Sequence, residues 1–323
     1  MNKIAALVDQ ALAAGLGSAI AVSVGDAGRE VFRYARGRVR RVPDLGPEID
    51  ANTPFDLASV SKVMATATIA ALLPLDVDTP VRTYLDASTT GTVRDLLDHR
   101  AGCPAHVEFF RALRAERPND PYATLVARAT KEPCAPPGGE RLYSDLGFIM
   151  LGAILEKVGG EPLDALFAKH VALPLGLSAR YAITPITGAV ATELDDRGLV
   201  CGLVHDENCF FGGRVCGHAG LFASIDDVAK FAAWVVARED SWHGWDTPSP
   251  VPGVSQAGDR WPRAHAYGHT GFTGTSLWLD LPHRRWCALL ANRVHPTRFG
   301  PTADQIKTLR RAVNDEVVES LDR

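Results

Sequence analysis

The chain has 323 residues, 46% hydrophobic and 22% charged, with a formal net charge of −4. These are the proportions of an ordinary globular protein, large enough for one large core or two interleaved subdomains. The negative charge argues against a surface that binds nucleic acid, and no apolar run reaches the roughly 18 residues of a membrane span.

The first predicted element is an amphipathic helix in residues 1–17, which Asp9 and Gln10 interrupt. This pattern differs from a secretion signal, so we expect a cytoplasmic protein unless a signal has been removed. The six cysteines have no close paired metal spacing and are expected to be free thiols.

Strand-like alternation follows in residues 18–24 and 30–40, with a turn between them, and a loop rich in Pro, Gly and Asp extends to residue 54. Ser59 then begins an apolar helix that Pro74 ends. Residues 75–240 are predicted to be mostly helices separated by Pro/Gly loops, and the last of these helices has a capping-box-like start at Ser224.

The end of the chain returns to strands. Residues 275–280 and 286–294 flank a short polar turn and predict a hairpin, and a last helix is expected over residues 302–321. Strands at both ends with helices between them predict an α/β fold: an antiparallel sheet built from N- and C-terminal strands, flanked by helices, with an inserted, mainly helical subdomain. We therefore expect a single domain in which a sheet subdomain (1–58 plus 241–323) carries a helical subdomain (59–240).

The segment Ser59-Val60-Ser61-Lys62 places a hydroxyl and an amine on one helical face, because Lys62 follows Ser59 by three positions. A serine hydroxyl becomes a good nucleophile when a neighbouring base takes its proton, and a desolvated lysine can be that base. The helix N-terminus also favours developing negative charge at Ser59. We expect burial and nearby positive charge or dipole to lower the pKa of Lys62. By itself the spacing is more typical of a capping serine followed by a solvated lysine.

Two further segments strengthen this interpretation. Leu142-Tyr143-Ser144-Asp145 lies downstream, and Tyr267-Gly268-His269-Thr270-Gly271 follows much later. A Ser-x-x-Lys, a Tyr-x-Asn/Asp and a Lys/His-Thr-Gly in this order resemble the β-lactamase-related serine hydrolases, which include class C β-lactamases, D-alanyl-D-alanine carboxypeptidases and certain carboxylesterases. The resemblance extends over residues 55–293 and implies the β-lactamase/penicillin-binding-protein-like fold.

The resemblance implies a role for each motif. Ser59 would be the nucleophile, and Lys62 and Tyr143 would form the base system. The N–H groups of Ser59 and Phe272 would form the oxyanion hole, and an edge strand ending in His269-Thr270-Gly271 would line the substrate cleft. A core tyrosine and a glycine at a strand bulge are the ordinary alternatives for Tyr143 and Gly271.

Two positions depart from the β-lactamase pattern among the expected substrate-binding residues Asp145, His269, Thr270 and Gly271. Asp145 replaces an asparagine, and a carboxylate that only accepts hydrogen bonds would repel a substrate carbonyl and could pair with Lys62 instead. His269 replaces a lysine, and a mostly neutral imidazole binds a carboxylate more weakly. Both changes favour a neutral ester as substrate.

The sequence therefore predicts a serine hydrolase that forms an acyl-enzyme at Ser59, with a carboxylesterase of small esters as the leading assignment. A D-alanyl-D-alanine peptidase, a weak β-lactamase and a non-catalytic ligand-binding protein are alternatives. No cofactor or metal is expected, and the partner is a small ester or amide. His218 is expected either to line the cleft or to order its loop. A metal-dependent hydrolase built on His205, Asp206 and His218, or a zinc site near Cys209 and Cys216, is disfavoured because the spacing is not typical of metal ligands.

Overall fold

The two ends of the chain meet in one five-stranded antiparallel sheet. A computed structural model describes residues 1–238 and 243–322. The strand order is β2-β1-β10-β9-β8, and the strands are β1 Ala19–Asp26, β2 Arg29–Gly37, β8 Ala266–Thr270, β9 Ser276–Asp280 and β10 Arg285–Ala291. Strand β1 pairs with β10, with Ile20 opposite Ala291. The predicted sheet from both termini and its C-terminal hairpin are confirmed.

Apolar residues occupy both faces of this sheet, because successive side chains of a strand point to opposite sides. Ile20, Val22 and Leu289 belong to a core shared with the first helix, α1 (Asn2–Ala13), and the last, α11 (Thr302–Leu321). Ala21 and Leu290 belong to the larger core on the other face. This core includes the apolar side of the inserted helix Ile225–Val236. The sheet is therefore covered on both sides, as the fold class predicts.

The inserted part of the chain is mainly helical. Its last helix is capped by Ser224, which forms a complete capping box with Asp227, as the sequence predicts. The inserted helices are α2 Thr68–Leu72, α3 Val93–Leu97, α4 Phe109–Glu116, α5 Pro121–Lys131, α6 Asp145–Gly159, α7 Leu163–Phe167, α8 Leu173–Leu175, α9 Glu207–Phe211 and α10 Ile225–Val236.

The inserted part also contains short strands that the sequence analysis does not predict. A three-stranded sheet has the order β3-β7-β4, and a separate hairpin joins β5 and β6. Strands of two to five residues carry too little alternation to be recognised in a sequence. The boundary expected at 240/241 lies outside the described residues, and the division into two subdomains stays a prediction. The short strands are β3 Phe55–Asp56, β4 Arg180–Tyr181, β5 Ala191–Asp195, β6 Gly198–Cys201 and β7 Leu221–Ala223.

Strand β3 leads directly into the helix that was predicted to begin at Ser59. A π-helical turn over Lys62–Ala67 continues into α2, and the helix ends at Leu72, just before Pro74. The Thr68 hydroxyl donates to the Val63 carbonyl at 2.7 Å, a bond that spans this wide turn. Single π-turns of this kind are frequent at functional sites.

Candidate active site

Ser59 is presented by a sharp turn between strand β3 and the π-helical turn. The buried Asp56 carboxylate accepts a hydrogen bond from the Ala58 N–H at 2.8 Å and another from the His205 N–H at 2.7 Å. Ala58 has φ +46°, in the left-handed region, which costs a non-glycine residue about 1–2 kcal/mol. This turn lifts Ser59 out of the strand, leaving its side chain partly exposed at a cavity wall.

Lys62 is fully buried and surrounded by acceptors. Its Nζ donates to Ser59 Oγ at 3.0 Å, to Asp145 Oδ1 at 2.7 Å and to the His218 carbonyl at 3.1 Å. An ammonium group has three N–H donors, and here each has a partner. The structure thus brings Ser59, Lys62 and Asp145 together, and Lys62 has the geometry of a protonated lysine.

The expectation that the pKa of Lys62 is lowered is wrong. Burial alone would lower this pKa, but the Asp145 carboxylate and Tyr143 outweigh burial and raise it well above its usual range. The same ion pair holds the pKa of the Asp145 carboxyl far below its usual range, although burial opposes the shift. The pairing of Asp145 with Lys62 agrees with the sequence-based expectation, and its effect is to keep the lysine charged.

Tyr143 lies beside both groups. Lys62 Nζ is 5.0 Å from the centre of the Tyr143 ring, and the phenol interacts with both Lys62 and Ser59. Burial raises the pKa of Tyr143 more than the lysine lowers it, so the phenol is neutral at pH 7. The ring packs against His99 with a centroid distance of 4.6 Å, and burial lowers the pKa of His99 to about 3. A neutral, closely packed neighbourhood therefore holds Tyr143 in place.

Asp145 also contacts a residue that the sequence analysis did not single out. His106 Nδ1 lies 3.2 Å from Asp145 Oδ2, on the carboxylate oxygen that Lys62 does not use. Both oxygens of Asp145 are thus engaged by protein groups. No short motif marks His106, because it lies in an irregular loop 39 residues before its partner. The unusual Asp145 itself was the available signal, since a largely buried carboxylate needs hydrogen-bond donors.

Gly271 allows the strand β8 wall to approach the nucleophile closely. A Cβ atom on Gly271 would lie 2.5 Å from the Leu57 carbonyl oxygen and 2.0 Å from Thr275 Oγ1. The Thr273 hydroxyl donates to the Asp56 carbonyl at 2.9 Å, and the Thr275 hydroxyl to the Leu57 carbonyl at 2.8 Å. The turn after β8 is therefore fastened to the segment that precedes Ser59.

This arrangement leaves two backbone donors beside the cavity. Among residues 1–238 and 243–322, neither the Ser59 N–H nor the Phe272 N–H donates to another protein group. Ser59, Gly271 and Phe272 all line the cavity. Two unused N–H groups at its wall are what an oxyanion hole requires, and their assignment to that role stays a prediction.

His269 and Thr270 lie at the end of β8, the edge strand of the large sheet, as predicted. Within the described residues, no further strand pairs with the free edge of β8, and its one backbone partner there is an isolated bridge between Asp246 and Gly268. His269 Nδ1 is 2.9 Å from the Thr270 carbonyl, which makes Nδ1 the protonated nitrogen. Burial lowers the pKa of His269 to about 4, despite the nearby Asp246 carboxylate. The imidazole is thus uncharged at pH 7.

A cavity of about 630 Å³ connects these groups. The Phe272 side chain is 49% exposed at one end of it, with the Arg293 guanidinium 4.4 Å from the ring centre and the His205 ring on another side at 5.8 Å. The catalytic and substrate-binding residues predicted from the sequence that line this cavity are Ser59, Tyr143, Asp145, His269, Thr270, Gly271 and Phe272.

His218 supports the site from behind. The His218 carbonyl accepts a hydrogen bond from Lys62 Nζ, and His218 Nε2 lies 2.8 Å from Asp206 Oδ1. His205 instead contacts Glu193 at 2.9 Å. Within the part of the chain that the structure describes, no group of three or more His, Cys, Asp or Glu residues is arranged to hold a metal ion. The absence of a metal or cofactor from the reaction remains a prediction.

With this geometry in place, comparison with known proteins identifies the family. The family model described as Beta-lactamase matches residues 4–311. The chain belongs to the β-lactamase family. An N-acetylmuramyl-L-alanine amidase of Bacillus subtilis is 28% identical over 93% of this chain and 82% of its own length.

Solved structures of the β-lactamase type share the fold. The class C β-lactamase from Rhodobacter sphaeroides superposes with a TM-score of 0.72 at 18% identity, over 98% of this chain and 100% of its own. EstCE1, a hydrolase with promiscuous acyltransferase activity, gives 0.68 at 21% identity, over 96% of this chain and 98% of its own. The predicted family and fold are both confirmed, and the family and its neighbours indicate a serine hydrolase of the β-lactamase and penicillin-binding-protein type.

Among the described residues, none of the helices is both long and apolar enough to cross a bilayer.

Proposed function

We propose that this member of the β-lactamase family is a carboxylesterase that forms an acyl-enzyme at Ser59 with small ester substrates. The observation that carries the choice of substrate is the neutral imidazole on β8: burial lowers the pKa of His269 to about 4, so this position, a lysine in the β-lactamase pattern, offers no cation to a substrate carboxylate. The cations that line the cavity, such as Arg293, lie on other elements. Asp145 agrees with this choice, because both of its oxygens are occupied and it has no donor for a substrate amide carbonyl.

Acylation begins with attack of Ser59 Oγ on the ester carbonyl. Because Lys62 is already an ammonium, the Ser59 proton moves to Lys62 as Lys62 passes one of its own protons to Asp145 Oδ1, 2.7 Å away. The pKa of Asp145 is far below its usual range, so this carboxyl holds the proton only until the leaving alcohol is protonated. The lysine stays positively charged throughout and stabilises the developing charge on Oγ. Tyr143, beside both groups, holds Lys62 and Ser59 in line.

Collapse of the tetrahedral intermediate breaks the bond to the leaving alcohol. The alkoxide takes a proton from Lys62, and Lys62 recovers one from Asp145, so the site returns to its starting charges. During both steps the carbonyl oxygen carries negative charge. The N–H groups of Ser59 and Phe272 are assigned to hold this oxygen, because both are unused by the described part of the protein.

Two other functions remain testable. The Bacillus amidase relative and the family resemblance favour peptide or β-lactam amides, which a D-alanyl-D-alanine peptidase or weak β-lactamase would cleave. A non-catalytic ligand-binding protein would be acylated once, or not at all. A binding protein is disfavoured by the intact arrangement of Ser59, Lys62 and Tyr143. Burial of a lysine beside a serine costs free energy, and a protein without catalytic activity would gain nothing from it.

The deciding experiment measures turnover of p-nitrophenyl butyrate and of nitrocefin by the wild type and by Ser59→Ala. The account predicts sustained ester turnover, little nitrocefin cleavage and an inactive variant. Fast nitrocefin cleavage would show that Asp145 and His269 do not exclude β-lactams. Full ester turnover by Ser59→Ala would remove Ser59 from the mechanism.

A further inference from the structure

We propose that His106 is the general base that activates water in the deacylation step, with Asp145 as the carboxylate that orients it. This inference rests on the proposed acyl-enzyme at Ser59 and adds a residue that the Ser-x-x-Lys, Tyr and His-Thr-Gly motifs do not contain. It concerns the second half of the reaction, in which a water molecule must be activated.

The hydrogen bond to Asp145 fixes which nitrogen of His106 is free. An ionised carboxylate only accepts hydrogen bonds, so the 3.2 Å contact between His106 Nδ1 and Asp145 Oδ2 places a proton on Nδ1. In the neutral ring, Nε2 then carries the lone pair that can take a proton. The side chain is 44% exposed and lines the same cavity as Ser59, where water can reach it. This is the base-plus-orienter arrangement that other hydrolases use.

The loop that carries His106 is anchored on both sides of it. The preceding residue, Ala105, accepts a hydrogen bond from the Asp145 N–H at 2.9 Å. The following residue, Val107, accepts one from the Asn208 side chain at 2.8 Å. An exposed histidine between two fixed carbonyls is held toward its partner rather than free to point into solvent.

Carboxylates dominate the charge around His106. The hydrogen bond to Asp145 raises the pKa of His106, burial lowers it in part, and the Asp206 and Glu108 carboxylates add to the increase. Its pKa therefore lies above its usual value near 6.5. This role also explains why Asp replaces the family's Asn at position 145, because an amide would orient an imidazole less strongly than a carboxylate does.

The proposed step balances. His106 Nε2 takes a proton from water, the hydroxide oxygen forms a bond to the acyl carbon, and the tetrahedral intermediate collapses by breaking the bond to Ser59 Oγ. The serine oxygen takes a proton from Lys62, which recovers one from the protonated His106 by way of Asp145 and solvent. The products are the free carboxylic acid and the resting enzyme.

The test compares His106→Asn with wild type, using p-nitrophenyl butyrate, stopped-flow absorbance and intact-protein mass spectrometry. Asparagine can keep a donor near the position of Nδ1 but has no basic nitrogen. We expect a burst of one equivalent of p-nitrophenol, turnover reduced about 10²–10³-fold, and an accumulated butyryl-enzyme. The acid limb of the wild-type pH–kcat profile, which lies above pH 6.5, should disappear. His106→Ala should recover part of its turnover when imidazole is added.

His283→Asn is the matched control. His283 also places Nδ1 against a carboxylate, Asp280, at 2.8 Å, but it lies on the distant β9–β10 turn. It should behave as wild type. Acyl-enzyme lifetime and pH profile within about twofold of wild type in His106→Asn would overturn the role of His106, because a general base contributes far more than that. Absence of a burst and of any adduct in the wild type would instead overturn the proposed acyl-enzyme itself.

Discussion

Two segments at the cavity differ in charge: the helical side with Lys62, Asp145 and His106, called the charged wall, and residues 269–271 at the end of β8, called the neutral wall. Cations such as Arg293 line other parts of the cavity. On the helical side, Lys62 and Asp145 form a buried ion pair that His106 extends to the surface. On the sheet side, His269 is neutral and Gly271 brings unused backbone donors close to the serine. In the proposed mechanism the charged wall transfers protons, whereas the neutral wall contacts the substrate. Relative to the β-lactamase pattern, position 145 has gained a carboxylate beside the nucleophile, and position 269 has lost the positive charge of a lysine.

The largest effect is expected from Asp145→Asn, which removes the carboxylate of the ion pair with Lys62. Lys62 is fully buried, so loss of its partner leaves an uncompensated charge that costs about 3 kcal/mol or more. We expect a lower urea midpoint and a large loss of ester turnover. Burial would then lower the pKa of the remaining lysine, so an acid limb due to Lys62 should appear in the acylation rate.

A matched control for Asp145→Asn is Asp78→Asn, which breaks the exposed pair with Arg94 at 2.7 Å. Asp78 is 66% exposed, and exposed pairs contribute about 0–1 kcal/mol. A double-mutant cycle with His106→Asn provides a further check, because the histidine substitution should have little effect once Asp145 is gone. Equal urea midpoints for Asp145→Asn and the wild type would contradict the ion pair.

On the neutral wall, the larger expected effect comes from Gly271→Ala. The new Cβ would lie within 2.5 Å of the Leu57 carbonyl oxygen and closer still to Thr275 Oγ1, so the turn must shift. Displacing one oxyanion donor typically costs about 10²-fold or more in kcat. Stopped-flow acylation rates measure this directly.

Gly139→Ala supplies the control, because the nearest atom to its Cβ would be 3.9 Å away. That variant should retain the wild-type rate. A Gly271→Ala enzyme with unchanged kcat would show that the approach of β8 to the nucleophile does not serve catalysis.

The smallest expected effect concerns the neutrality of His269 and its dependence on pH. Burial lowers the folded-state pKa of His269 to about 4, below the unfolded value near 6.5. The unfolded chain therefore binds the proton first, and stability falls as pH drops from about 6.5 toward 4. His269→Gln should reduce the slope of this part of the urea-midpoint profile, to which His99 and His295 also contribute, while leaving the profile above pH 7 unchanged. An unchanged slope would mean that the imidazole is charged in the folded protein.

Much of the large sheet could be predicted, because its strands are long enough to show alternation and its connections carry turn residues. Strands β1, β9 and β10 and the helix Thr302–Leu321 follow from such patterns. Strands β3 and β7 could not be predicted, since each has three residues or fewer and depends on pairing across more than 160 positions.

The positions of several site residues could be predicted because these residues belong to short sequence motifs. Ser59, Lys62, Tyr143 and His269 were found because each lies in a recognisable string, and the structure brings all four together at one cavity or, for Lys62, directly beneath it. The charge of Lys62 was not predictable, because it depends on how closely Asp145 approaches. His106 was missed for the same reason: only the folded loop places it against a carboxylate 39 residues away.

The most direct test of the central claim is intact-protein mass spectrometry after rapid mixing with p-nitrophenyl butyrate, followed by peptide mapping. The account predicts one transient butyryl group on Ser59 in the wild type, none on Ser59→Ala, and a long-lived adduct in His106→Asn. A wild type that turns over the ester without any adduct, or with the adduct on another residue, would contradict it.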